Sequence, residues 1–228
     1  MRMKNWLLFG LVCVQLSFLE VSLRAQFLNV DFGSGTNSPK VGFAATGQST
    51  NDFWNFYTRD DGHGGYRAVG AVNNLKWADG TVSAVGLTVT NAAGAWQNGA
   101  ADPMYNAYLY PIGGGNITAT VTNLPVGDYD LYLYGHGGPG VDTANSVFQV
   151  VSGSSDYGTK ATTTTSGWTS PIWQEGQQYV VFRDVAVVNA GGSVTLTVFP
   201  GANGQAYFSG MQAVQKSPRV LAWPSHQD

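Results

Sequence analysis

Cysteine is all but missing from this chain: Cys13 is the only one, and it lies in the first 25 residues. An exported domain with no further cysteine has no disulfide to hold it, so its stability must come from core packing, with or without a bound ion. Charge is sparse as well, at 11% of residues, with 11 Lys and Arg against 14 Asp and Glu. That balance argues against a nucleic-acid partner, because phosphate binding needs a basic surface. No segment shows sustained helical periodicity. Beyond the N-terminal segment no apolar run approaches the roughly 20 residues that a membrane-crossing helix needs. Glutamate is scarce too, Glu175 being the only one outside the first 25 residues.

The N-terminus itself reads as a secretory leader. Arg2 and Lys4 precede an apolar run from Trp6 to Phe18, and the small Ala25 offers a cleavage point before Gln26. Residues Leu11 and Val12 ahead of Cys13 are not the small residues that lipoprotein processing prefers. The expected organisation is a signal peptide over residues 1–25, one domain over 26–215 and a loose tail over 216–228, with the protein secreted or at the cell surface. Cleavage would remove Arg2, Lys4, Arg24 and Glu20 and leave the mature chain more acidic.

Glycine is plentiful, with 30 residues, and it gathers in turn-like clusters such as Gly62–Gly65, Gly113–Gly115 and Gly137–Gly140. Between the clusters lie short runs rich in Val, Thr, Tyr and Phe. These predict strands at Phe27–Phe32, Val82–Thr90, Ala107–Tyr110, Asn116–Asn123, Tyr129–Tyr134, Ser146–Val151, Gln178–Phe182, Ser193–Phe199 and Ala206–Val214. The stretch from Asn116 to Gly135 reads as two alternating strands joined by a tight turn, a β-hairpin. In Tyr179–Phe182 the alternation fails, which predicts a strand covered on both faces or a bulge near Arg183 and Asp184. The region from Gly42 to Gly80 follows neither period and reads as long loops with short strands. Many short strands with glycine turns make an all-β sandwich or barrel.

The string Gly127-Asp128-Tyr129-Asp130-Leu131-Tyr132-Leu133-Tyr134, with Val147–Val150, Val194–Val198 and Ala206–Gln212 after it, resembles the galactose-binding-like jelly-roll domains. Malectin-like domains and many carbohydrate-binding modules belong to that group. The resemblance implies an antiparallel β-sandwich of jelly-roll form whose variable loops take a polysaccharide or other glycan.

No motif with catalytic spacing is present. Glycoside hydrolysis ordinarily needs two carboxyl groups flanking one bond, and the adjacent Asp60 and Asp61 would point to opposite sides of an extended chain. His63 and His136 share a Gly-His-Gly-Gly context, but their separation is no metal signature. No serine lies in a nucleophile elbow, and the glycine-rich strings lack the lysine and helix of a phosphate loop. No cofactor is therefore expected. A structural calcium ion remains an open alternative, since Asp31, Asp60, Asp61, Asp142 and Asn145 supply oxygens near glycine loops.

Aromatic residues are the remaining signal. Trp54, Trp77, Trp96, Trp168 and Trp173 lie in or beside polar, glycine-containing segments. Flat rings stack on the C–H faces of sugars while amides and imidazoles pair with hydroxyls. The candidate ligand-binding residues are Trp54, Trp96, Asn98, Tyr105, His136, Asp142 and Asn145. The leading expectation is a secreted, non-catalytic glycan-binding domain. Two alternatives stand beside it: an extracellular structural or adhesion domain with protein partners, and a polysaccharide lyase or hydrolase with an atypical site.

Overall fold

The computed structural model describes residues 26–34, 38–58, 69–138, 143–164 and 172–218. The expected leader lies outside these residues, as do Asp60, Asp61, His63, Asp142, Trp168 and Trp223. The described residues form thirteen strands and one 3₁₀ turn, Pro103–Asn106. The strands are β1 (Phe27–Gly33), β2 (Asn55–Thr58), β3 (Val69–Val72), β4 (Gly86–Thr90), β5 (Gly94–Gln97), β6 (Ala107–Tyr110), β7 (Ile117–Thr122), β8 (Gly127–Tyr134), β9 (Ser146–Ser152), β10 (Ser155–Ala161), β11 (Tyr179–Val187), β12 (Ser193–Pro200) and β13 (Gly210–Pro218).

Two sheets form an antiparallel β-sandwich. One has the order β11-β8-β13-β1-β2 and the other β10-β9-β12-β7-β4-β3, with a two-stranded flap, β5-β6, beside them. Only β1 and β2 run parallel, at the edge of the five-stranded sheet. Period-two alternation fills the interior between the layers: Ile117, Ala119 and Val121 from β7 face Tyr129, Leu131 and Leu133 from β8, joined by Leu28, Val30 and Phe32 of β1 and Val194, Leu196 and Val198 of β12. Each Val, Leu or Phe side chain withdrawn from water in this way contributes about 1.5–3 kcal/mol.

The expected hairpin between Asn116 and Gly135 does not form. Strand β7 pairs with β12 and β4, whereas β8 pairs with β11 and β13 in the opposite sheet. The link between them is an arch across the core. Asn123 takes a left-handed φ of 59°, Leu124 is buried between the layers, and the Pro125 carbonyl accepts the Tyr129 hydroxyl at 2.7 Å. A four-residue link carrying proline lacks the two-residue Asn-Gly geometry that folds neighbouring strands flat together.

The irregularity near Arg183 is a bulge: the β11–β8 register shifts between Phe182 and Val185, and Asp184 adopts φ 57°. Strand β13 continues through Lys216 to Pro218, past the expected start of the tail. Lys216 is held there by Asp184 at 2.9 Å.

The outer face of the five-stranded sheet is polar, and around Asn29, Asp31, Tyr134 and Gln212 it is buried. Residues 38–54 lie across it as a strap. The Lys40 amide donates to Asp31 Oδ2 at 2.8 Å, and Lys40 Nζ pairs with Asp102 Oδ2 at 2.5 Å. The Ala45 amide donates to the Tyr134 hydroxyl, Gln212 Nε2 donates to the Thr46 carbonyl, and Asn29 Nδ2 donates to the Phe53 carbonyl. Burying polar groups costs free energy unless they are paired, and here the strap supplies the partners.

Candidate ligand-binding site

The β5-β6 flap carries an aromatic surface. Its inward side chains, Ala95, Ala107 and Leu109, are buried, and Leu109 exchanges backbone hydrogen bonds with Phe208 at 2.9 and 3.1 Å. Alternation then turns Trp96, Tyr108 and Tyr110 outward. Trp96 stands directly opposite Tyr108, and Gly94 opposite Tyr110. A Cβ on Gly94 would be driven into the Tyr110 ring, so the glycine is what lets that ring lie across β5.

Tyr207 comes from the segment that pairs with β6. Its ring meets Tyr108 edge-to-face, with centroids 4.9 Å apart at 87°, and Tyr108 meets Tyr110 at 6.2 Å and 69°. Asn203 Nδ2 donates to the Tyr207 hydroxyl at 2.6 Å, and Gln205 Nε2 donates to the Pro111 carbonyl at 3.1 Å. Trp96, Tyr108, Tyr110, Gln205 and Tyr207 enclose an open recess of about 270 Å³. Trp96 is 59% exposed. Burial, reinforced by the neighbouring Tyr207 and Tyr110 phenols, pushes the Tyr108 hydroxyl up to about 12. That hydroxyl stays a proton donor at neutral pH. Among the described residues, the indole N–H of Trp96 and the hydroxyls of Tyr108 and Tyr110 have no protein partner, which leaves them to water or a ligand.

The other residues anticipated from the sequence are placed elsewhere. Trp54 and Tyr105 are corrections, since both belong to a second buried cluster with Ala44, Met104 and Tyr134 under the strap. The Trp54 indole donates to the Gly42 carbonyl at 2.8 Å, the Tyr105 hydroxyl donates to the Gln178 carbonyl, and neither ring has a face free for a ligand. Polar neighbours in the sequence suggested exposure for Trp54, but Trp54 belongs to the strap and is buried where the strap meets that cluster.

His136 and Asn145 form an isolated bridge pair and are buried as well. Burial lowers the His136 imidazole to about 4, against backbone hydrogen bonds that pull the other way, so it is neutral at pH 7. Asn145 is committed at both ends, its amide donating to the Thr162 carbonyl and its oxygen accepting from the Ala202 amide. Asn98 is half-buried, and its oxygen accepts from the Ala100 amide at 3.1 Å in the loop that leaves β5. Asp142 lies outside the described residues.

Of the oxygens considered for calcium, Asp31 is sealed under the strap. Burial pushes its carboxyl up to about 7, against the Lys40 N–H that it accepts. Among the described residues no three His, Cys, Asp or Glu gather as a metal site. Glu175 is exposed and takes a bidentate hydrogen bond from Arg183 at 2.9 and 2.5 Å.

Sequence reasoning passed over Tyr108, Tyr110, Tyr207 and Gln205. A usable signal was present in Ala107-Tyr108-Leu109-Tyr110, where period two puts both tyrosines on the face away from Leu109. No signal announced that β5 would bring Trp96 alongside them, because Gly94–Gln97 is too short and too glycine-bordered to read as a strand.

No family model matches the chain, and no curated protein matches it. Among solved structures it is similar to TmCBM61, a carbohydrate-binding module solved with β-1,4-galactotriose, at 15% identity over 57% of this chain and 77% of that one, with a TM-score of 0.26. It is also similar to the exo-β-1,3-galactanase of Phanerochaete chrysosporium solved with galactose, at 16% identity over 59% of this chain and 31% of the enzyme, with a TM-score of 0.30. Likeness at this level says nothing of what this chain binds.

Proposed function

We propose that this protein is a secreted, non-catalytic glycan-binding domain of galactose-binding-like jelly-roll type, and that the recess on the β5-β6 flap is its binding site. The observation that carries the reading is the gathering of four aromatic rings at one open surface, three of them on the outward face of a paired flap. Sugar C–H faces pack on such rings, and the polar tips of Trp96, Tyr108, Tyr110 and Gln205 lie where hydroxyls would need partners.

Its described lining has no carboxylate, the group that glycoside hydrolysis ordinarily uses in pairs. Export follows from the leader expected at residues 1–25. Affinity electrophoresis and a glycan array with the purified protein test the proposal. Retention by at least one polysaccharide, lost in Trp96→Ala and Tyr108→Ala variants that still fold, is the expected result. A folded protein retained by no glycan would instead favour a structural domain with protein partners.

A further inference from the structure

We infer that the recess holds a single uncharged sugar ring, at a chain end or a branch, rather than the flat face of an ordered polysaccharide. This rests on the glycan reading and narrows it.

Ring orientation is the first ground. A polysaccharide lattice is gripped by rings that lie in one plane, so that each stacks beneath a different residue of the same chain. Here Tyr108 stands at 69° to Tyr110 and at 87° to Tyr207. A plane resting on the Tyr108 face meets the edges of Tyr110 and Tyr207. A single pyranose avoids that conflict, because it can lay one face on a ring and turn its rim towards the ring that stands upright beside it.

Size is the second. The recess is about 270 Å³, just under the range of about 300–1,000 Å³ typical of small-molecule sites, and too little to enclose several sugar residues. The third ground is charge and hydrogen bonding. No charged side chain is among the described lining residues, so a uronate or sulfate group would leave water without a counter-charge. The polar groups of the lining are neutral. Gln205 is pinned through Nε2 to the Pro111 carbonyl, which fixes its amide oxygen as an acceptor, while the Tyr108 and Tyr110 hydroxyls and the Trp96 indole are donors. Such a set reads the hydroxyl pattern of one ring.

The experiment is calorimetric titration of the full chain with glucose, galactose, mannose, xylose and N-acetylglucosamine. Matched β-linked oligosaccharides up to the hexamer follow, with a parallel sedimentation assay on crystalline cellulose and chitin. At least one monosaccharide should bind. Its oligomers should stay within about threefold of the monosaccharide affinity, and neither crystalline solid should retain the protein. Tyr108→Ala should weaken that binding about tenfold or more with the melting temperature preserved.

Affinity that climbs about tenfold or more with chain length, or retention on a crystalline solid, overturns the single-ring site and leaves the glycan reading standing. Aromatic walls also attract quaternary ammonium groups, so choline is titrated alongside. Binding of choline with no binding of sugar overturns the inference in favour of a cation site. A folded protein that binds nothing in the panel removes both the inference and the reading beneath it.

Discussion

Gly94 faces Tyr110 across the β5-β6 ladder, and the phenol ring occupies the space where any larger residue would place its first side-chain carbon. The recess therefore depends on a residue that touches no ligand. Gly94→Ala should push the Tyr110 ring outward and lower glycan affinity severalfold. Because the displaced ring is at the surface, the stability cost should stay near 1 kcal/mol. Affinity unchanged in this variant would show that Tyr110 is no part of the site.

Two tryptophans that look alike in the sequence should behave in opposite ways. Trp54 is 2% exposed and Trp96 59%. Trp54→Ala should lose about 3–5 kcal/mol of stability through the cavity it leaves. Trp96→Ala should melt within a degree or two of the parent and lose binding instead. Chemical denaturation of both variants, beside an affinity gel, separates the two effects.

Asp31 and His136 should oppose each other in the dependence of stability on pH. Burial raises the Asp31 carboxyl from 3.8 to about 7, so between those values the folded protein holds a proton that the unfolded chain has released. Its contribution is complete below about 4 and is lost as pH rises towards 7. Burial lowers His136 from 6.5 to about 4, so there the unfolded chain holds the extra proton, and stability is lost as pH falls through the same window. The two slopes cancel, and the parent should be nearly flat between about pH 4.5 and 6.5. Asp31→Asn should unmask the histidine, with stability rising by up to about 1.4 kcal/mol per pH unit across that window. Parallel profiles for parent and variant would mean that Asp31 is already ionised.

Lys40 and Asp102 form an ion pair in which each side chain is 5% exposed. Removing Lys40 takes the counter-charge from a carboxylate that is almost shut off from water, so Lys40→Met should cost about 3–5 kcal/mol. Adding Asp102→Asn keeps the oxygen that accepts the Met104 amide and removes the stranded charge, and it should restore a large part of that loss. Equal and additive losses in a double-mutant cycle would show that the pair is not coupled.

Local alternation made the strands legible, and distance limited the rest. Tyr129–Tyr134 and Ser193–Phe199 show their inward halves plainly, because period two is written in neighbouring residues. Strand partners are not written there. The β7 and β8 segments read as a hairpin because both point apolar residues to one side, which an arch between two sheets satisfies equally well. Strand β10 was invisible for a simpler reason: Ser155–Ala161 is an exposed edge with little apolar content.

Burial of the aromatics was the other gap. The polar setting of Trp54 gave no hint that residues 38–54 would fold back over the sheet, since the groups they pair with, Asn29, Asp31, Tyr134 and Gln212, are spread from β1 to β13.

The strap also decides where evolution or a designer can alter recognition. With the sheet closed beneath it at Asn29, Asp31, Tyr134 and Gln212, changes to those outward residues would register as unfolding. The flap is a four-residue pair of ribbons anchored through Leu109 and Phe208, so its outer positions can be exchanged for other rings or amides without disturbing the layers behind it. If the recess binds glycan as proposed, new preferences should therefore be reachable from Trp96, Tyr108 and Tyr110 alone.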